Sequence, residues 1–98
     1  MQLYSWNVNG VRAVEKKGFV PWLLETGADI LCLQETKAQE IDLPESVRSP
    51  DGYRSVWHSA KRRGYSGVAT YVRNGLEPLR VEGLGVRKFD DEGRCQVL

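Results

Sequence analysis

Much that would mark a specialised class is missing from these 98 residues. There is one histidine, His58, and there are two cysteines, Cys32 and Cys95, with no CxxC or Cys/His spacing between them. That excludes a zinc-ligand pattern and a disulfide framework, and it suits a reducing compartment. Cys32 lies inside an apolar run and reads as a buried thiol. No apolar stretch is long enough to span a membrane, and the start, Met1-Gln2-Leu3-Tyr4-Ser5-Trp6, has no basic lead-in. Neither a signal peptide nor a membrane span is therefore expected, and the expected location is cytoplasmic. Internal repeats, low-complexity tracts and linkers are absent too, which points to one unit over 1–98.

A dominant charge is also lacking. The formal net charge is +1, so the whole chain gives no sign of nucleic-acid binding. Residues 1–50 carry five Lys/Arg against seven Asp/Glu, and residues 51–98 carry nine against six. The difference is mostly the run Lys61-Arg62-Arg63, which alone reads equally well as a solvated loop.

What is present is ordinary for a globular domain, with 41% apolar and 28% charged residues. Leu3–Trp6 alternates apolar and polar side chains as a short strand does, and Asn7-Val8-Asn9-Gly10 follows as a turn. From Ala13 to Glu25 the apolar spacing is helical, broken at Gly18. Pro21 suits a first helical turn and Gly27 a C-terminal cap. Asp29–Gln34 is a compact apolar run, expected to form a strand buried on both faces with Glu35 at its carboxyl end. Residues 38–52 are polar, with Pro44, Pro50 and an Asp51-Gly52 turn. Tyr53–Trp57 and Val68–Val72 are expected strands, Leu79–Val81 a weaker one, and Gln96-Val97-Leu98 the opening of another. The expected core holds Tyr4, Trp6, Trp22, Leu23, Ile30, Leu33, Trp57, Val68 and Val72.

Ligands of open α/β sheets collect at the carboxyl ends of strands, where Asn7 and Glu35 both stand. If the two strands are neighbours, a carboxamide and a carboxylate converge at one rim, and oxygen ligands of that kind suit Mg²⁺. Spacing alone leaves open a plainer reading, a turn asparagine and a solvated glutamate.

The words are more specific than the spacing. Ser5-Trp6-Asn7-Val8-Asn9-Gly10-Val11-Arg12-Ala13 and Leu31-Cys32-Leu33-Gln34-Glu35-Thr36-Lys37 resemble the first two signatures of the exonuclease III/apurinic-apyrimidinic endonuclease family. Gly64-Tyr65-Ser66-Gly67-Val68 and Asp91-Glu92-Gly93-Arg94 resemble two further blocks, in the same order. The resemblance implies the first part of a four-layer α/β/β/α sandwich of the deoxyribonuclease I type, a mixed sheet with helices on its outer face. It implies a hydrolase of base excision repair that cuts the phosphodiester 5′ to abasic sites and trims DNA from 3′ to 5′.

By resemblance, Glu35 and Asn7 are catalytic: Glu35 would ligate Mg²⁺ or Mn²⁺, Asn7 would orient the phosphate or a catalytic carboxylate in this metal centre, and Asn9 would assist the metal through water. Arg12, Lys17 and Lys37 would hold DNA phosphates. Tyr65 would approach the DNA backbone, and Lys61, Arg62 and Arg63 would add unspecific attraction. Lys37 would share Glu35's face only if the strand continued. His58 has no expected catalytic role, since the family's catalytic histidine comes later, as do a tyrosine, an Asp-x-Asn pair, a metal-site aspartate and an Asp-His pair. The chain is thus expected to be a truncated domain, inactive alone, whose exposed sheet face invites self-association. The competing readings are a DNA-binding module without catalysis and another phosphodiesterase of the same fold, acting on lipids or inositol phosphates.

Overall fold

The computed structural model describes residues 2–76. The expected strands at Leu79–Val81 and Gln96–Leu98, the block Asp91–Arg94 and Cys95 lie outside the described residues. Elements run β1 (Leu3–Asn7), α1 (Val11–Lys16), α2 (Phe19–Thr26), β2 (Ile30–Gln34), a 3₁₀ turn (Glu40–Asp42), α3 (Glu45–Arg48), β3 (Tyr53–His58) and β4 (Val68–Arg73). The strands form one mixed sheet in the order β1-β2-β4-β3. β1 and β2 are parallel, while β4 runs antiparallel to both its neighbours.

Local sequence explains the breaks. Gly18, at φ 95°, caps the start of α2 and divides the expected helix in two, a backbone conformation that a side chain would resist. Pro21 sits in the first turn of α2, where its missing N–H costs no hydrogen bond. Gly27 closes α2 at φ 64°, with its N–H bonded to Leu23 O.

Strand register sorts the side chains into two faces. Tyr4, Leu31 and Tyr71 form one row under the helices, and Trp6, Leu33, Ala69 and Trp57 form the next. Against them pack Phe19, Trp22 and Leu23 of α2. Ring centroids lie 5.2 Å apart for Trp6 and Trp22, 5.5 Å for Phe19 and Tyr71 and 5.9 Å for Tyr4 and Trp22. These are edge-on contacts, the arrangement that aromatic quadrupoles favour.

The opposite face is less covered, and here the sequence expectation needs correction. Ile30, Cys32 and Gln34 are half-buried, not buried, because among the described residues the helices pack on only one side of β2. Cys32 is therefore a partly accessible thiol, not a buried one. Leu3 is 66% exposed, Val68 is half-buried, and Thr70 and Val72 are closed off. Trp6, placed in the core from sequence, is 36% exposed at the sheet edge.

The polar stretch 38–52, read as irregular, holds a 3₁₀ turn and α3. Tyr71 explains why α3 forms there: its hydroxyl, deep in the core, donates to Val47 O at 2.7 Å, and burial pushes its ionisation well up. Tyr53 does the same to Ala28 O at 2.6 Å. At the far end of the sheet the Asp29 carboxylate accepts from Gln2 N at 2.6 Å and pairs with Arg73. The Gln2 bond and the Arg73 charge hold Asp29 below the usual carboxylate range. No helix of the described residues is long and apolar enough to cross a membrane.

Candidate active site

The row Asn7, Gln34, Val68 and His58 ends the sheet on one side. Beyond it three loops meet: 8–10 after β1, 35–38 after β2, and 59–67 before β4. Backbone bonds knit them together. Val8 N donates to Gln34 O at 3.0 Å, Gly10 N to Glu35 O at 2.8 Å and Val11 N to Thr36 O at 2.9 Å. On the other side Thr36 N donates to Gly67 O at 3.1 Å and Lys37 N to Ser66 O at 2.7 Å. The loop after β2 is held between the other two like a middle strand.

Side chains converge on that frame. Asn7 Nδ2 donates to Glu35 Oε2, and Asn7 Oδ1 accepts from Asn9 N at 3.1 Å. Lys37 Nζ donates to Asn9 Oδ1 and lies 3.7 Å from Glu35 Oε1. β2 stops at Gln34, so Lys37 does not reach Glu35's side by strand alternation. Both residues instead take positive φ, 54° at Glu35 and 53° at Lys37, and the two reversals bring their side chains together. Between them Thr36 points inward, fully buried, and its Oγ1 has no hydrogen-bonding partner among the described residues.

Gly67 completes the packing. A Cβ there would stand 2.4 Å from Thr36 Oγ1, and the residue sits at φ 93°. Both facts demand glycine. Sequence reading gave Thr36 and Ser66 no role in the site's frame; the sign available was the Gly64-x-x-Gly67 spacing beside a short polar loop.

The cations divide. Arg12, Lys37 and Arg63 line one depression with Gln39, Asp42 and Gly64. Arg62 lies over the Tyr65 ring, 5.4 Å from its centroid, and that ring is 37% exposed. Lys61 is exposed on the same loop. Lys17 lies past the end of α1 and is not among the residues lining the depression. His58 is half-buried on the less covered face. The loop 59–63 is clipped to 38–42 by Gln39 Nε2 donating to Ala60 O at 2.7 Å and Ser59 Oγ donating to Ala38 O at 2.8 Å.

For a metal ion, Glu35 offers a carboxylate that is 44% exposed in its side chain and fixed by Asn7. One such carboxylate with water and neutral oxygens suits a hard divalent cation. Among the described residues no group of three or more His, Cys, Asp or Glu side chains could enclose one. Glu35 is thus the carboxylate that these residues offer to such a site.

The chain is similar to known proteins in sequence and fold. The chain is 48% identical over 102 residues to the exodeoxyribonuclease of Bacillus subtilis, covering all of this chain and 38% of that protein. It is 42% identical over 97 residues to the DNA repair nuclease APEX1 of Danio rerio, of which it spans 31%. The solved AP endonuclease of Archaeoglobus fulgidus superposes with a TM-score of 0.75 at 34% identity, over 94% of this chain and 35% of that one. The fold is accordingly part of the deoxyribonuclease I-like α/β sandwich. With residues 4–94 matched, the chain belongs to the endonuclease/exonuclease/phosphatase family.

Proposed function

We propose that this chain forms the carboxylate-bearing rim of a DNA-repair nuclease that hydrolyses the phosphodiester 5′ to an abasic site and also trims DNA from 3′ to 5′. The observation that carries the reading is the meeting of Glu35, Asn7, Asn9 and Lys37 beside a cationic depression, in a chain similar to proteins named as an exodeoxyribonuclease and a DNA repair nuclease.

Each side chain then has a task. Asn7 fixes the rotation of the Glu35 carboxylate through one hydrogen bond. Glu35, with Asn9 nearby, would hold Mg²⁺ or Mn²⁺. When bound, such a cation offsets charge on the scissile phosphate and on the departing 3′ oxygen. Arg12, Lys37 and Arg63 draw in backbone phosphates, giving salt-sensitive affinity without sequence preference. Tyr65, with Arg62 against its ring, presents an exposed aromatic face beside them. The group that activates the attacking water is assigned to no residue of this chain. General-base activation contributes about 10²–10⁴-fold, so the 98 residues alone are expected to be inactive.

The test is cleavage of a duplex with one tetrahydrofuran abasic analogue by a complete nuclease that carries these residues. Cleavage should require a divalent cation and disappear with EDTA. Glu35→Gln should cost more than about 10²-fold in kcat. Metal-independent cutting, or a loss under tenfold in Glu35→Gln, would sink the role given to Glu35.

A further inference from the structure

Among the described residues, Asp42 is the only acidic one lining the depression that also holds Arg12, Lys37 and Arg63. Its carboxylate is engaged: Oδ2 accepts from the Arg63 guanidinium. The geometry keeps it there. Asp42 ends the 3₁₀ turn, its N–H bonded to Gln39 O at 3.0 Å, and the Gln39 side chain is itself tied to Ala60 just ahead of the basic run. The carboxylate and the guanidinium therefore face each other from two segments that are clipped together. The pair stays open to water, with side-chain exposures of 33% for Asp42 and 71% for Arg63.

We propose that Asp42 is a resident counter-charge in the phosphate-binding depression. In the free protein it occupies Arg63, and a DNA backbone phosphate displaces it. An exposed ion pair is weak enough to exchange, and a phosphate can accept from the same guanidinium through two oxygens. After the exchange the carboxylate is left beside the phosphate, and their repulsion tempers unspecific binding. The proposal rests on the DNA-binding reading above and adds to it a residue that opposes that binding.

The 98-residue chain and its variants are titrated with a labelled duplex by fluorescence anisotropy across a salt series. Asp42→Asn, which keeps the shape and removes the charge, should bind about three- to tenfold tighter at low salt. The slope of log affinity against log salt should steepen by about one. Asp51→Asn makes the same charge change in the turn before β3, at the opposite end of the sheet, and should alter affinity less than about twofold. Adding Arg63→Gln to Asp42→Asn should abolish the gain, and Asp42→Ser should reproduce it with a side chain of another shape.

Three results would each overturn the proposal: no gain in Asp42→Asn and Asp42→Ser, an equal gain in Asp51→Asn, or a gain that survives Arg63→Gln. Binding by the wild type with no response at Asp42 removes this proposal alone. Absence of binding by every variant at low salt removes it together with the DNA-binding reading of the depression.

Discussion

At the scale of the residue, the rim is where the chain accepts backbone strain. Among the described residues the non-glycine positions with positive φ are Asn9, Glu35, Lys37 and Ser66, and all four belong to the loops of the site. Each left-handed residue costs on the order of 1–2 kcal/mol, which the surrounding hydrogen bonds must offset. Gly67 is the point where that arrangement has no slack. Gly67→Ala is expected to destabilise the chain by more than about 1 kcal/mol, because it adds both the conformational penalty and a collision with Thr36 Oγ1. Thr36→Ala in the same chain removes the collision but not the penalty, so it should restore part of the loss. A double-mutant cycle in urea checks this, and strict additivity of the two changes would refute the contact as the cause.

At the scale of the element, β4 and α3 are one construction. The Tyr71 hydroxyl is the partner of Val47 O inside the core. Tyr71→Phe should therefore cost about 1–3 kcal/mol in chemical denaturation, by leaving a buried carbonyl unpaired. A change below about 0.5 kcal/mol would mean that water or another group replaces the hydroxyl. The same elements show what was legible in the sequence. β1, β2, β3 and β4 declared themselves by alternation or by apolar runs, and Gly18 and Gly27 marked the helix ends. α3 did not, since its four residues follow a proline and carry only Val47 as a buried anchor. Its reason to exist lies in a tyrosine 24 positions later. The convergence of Asn7 and Glu35 was legible as two strand ends, given that the strands are neighbours. The turn that returns Lys37 to Glu35 was not, because non-glycine residues at positive φ leave no mark in composition. The half-open state of Cys32 was also hidden, since an apolar run looks the same whether one or both of its faces are covered.

At the scale of the whole molecule, the core depends on tyrosines remaining neutral. Burial raises both Tyr53 and Tyr71 above the ordinary value of 10.0. A raised folded-state pKa means that the stability these hydroxyls contribute is complete below pH 10.0 and is lost as pH rises past it toward the folded values. Alkaline unfolding is therefore expected above that pH, with the phenolate absorbance of Tyr53 and Tyr71 (the part missing from their Phe variants) and loss of circular dichroism appearing together. Phenolate formation by these two rings well ahead of unfolding would show them to be accessible. The parallel pairing of β1 with β2 has a further consequence, for length variation. Asn7 lies opposite Gln34, one residue before Glu35, with α1 and α2 in the connection between the strands. Residues inserted around Gly27, after α2, would lengthen the connection and leave both strand ends where they are. One residue inserted between Leu3 and Asn7 would turn the asparagine to the other face of the sheet and slide it away from the carboxylate. In any set of working relatives, gaps should therefore gather in the connection and be missing from the five residues of β1.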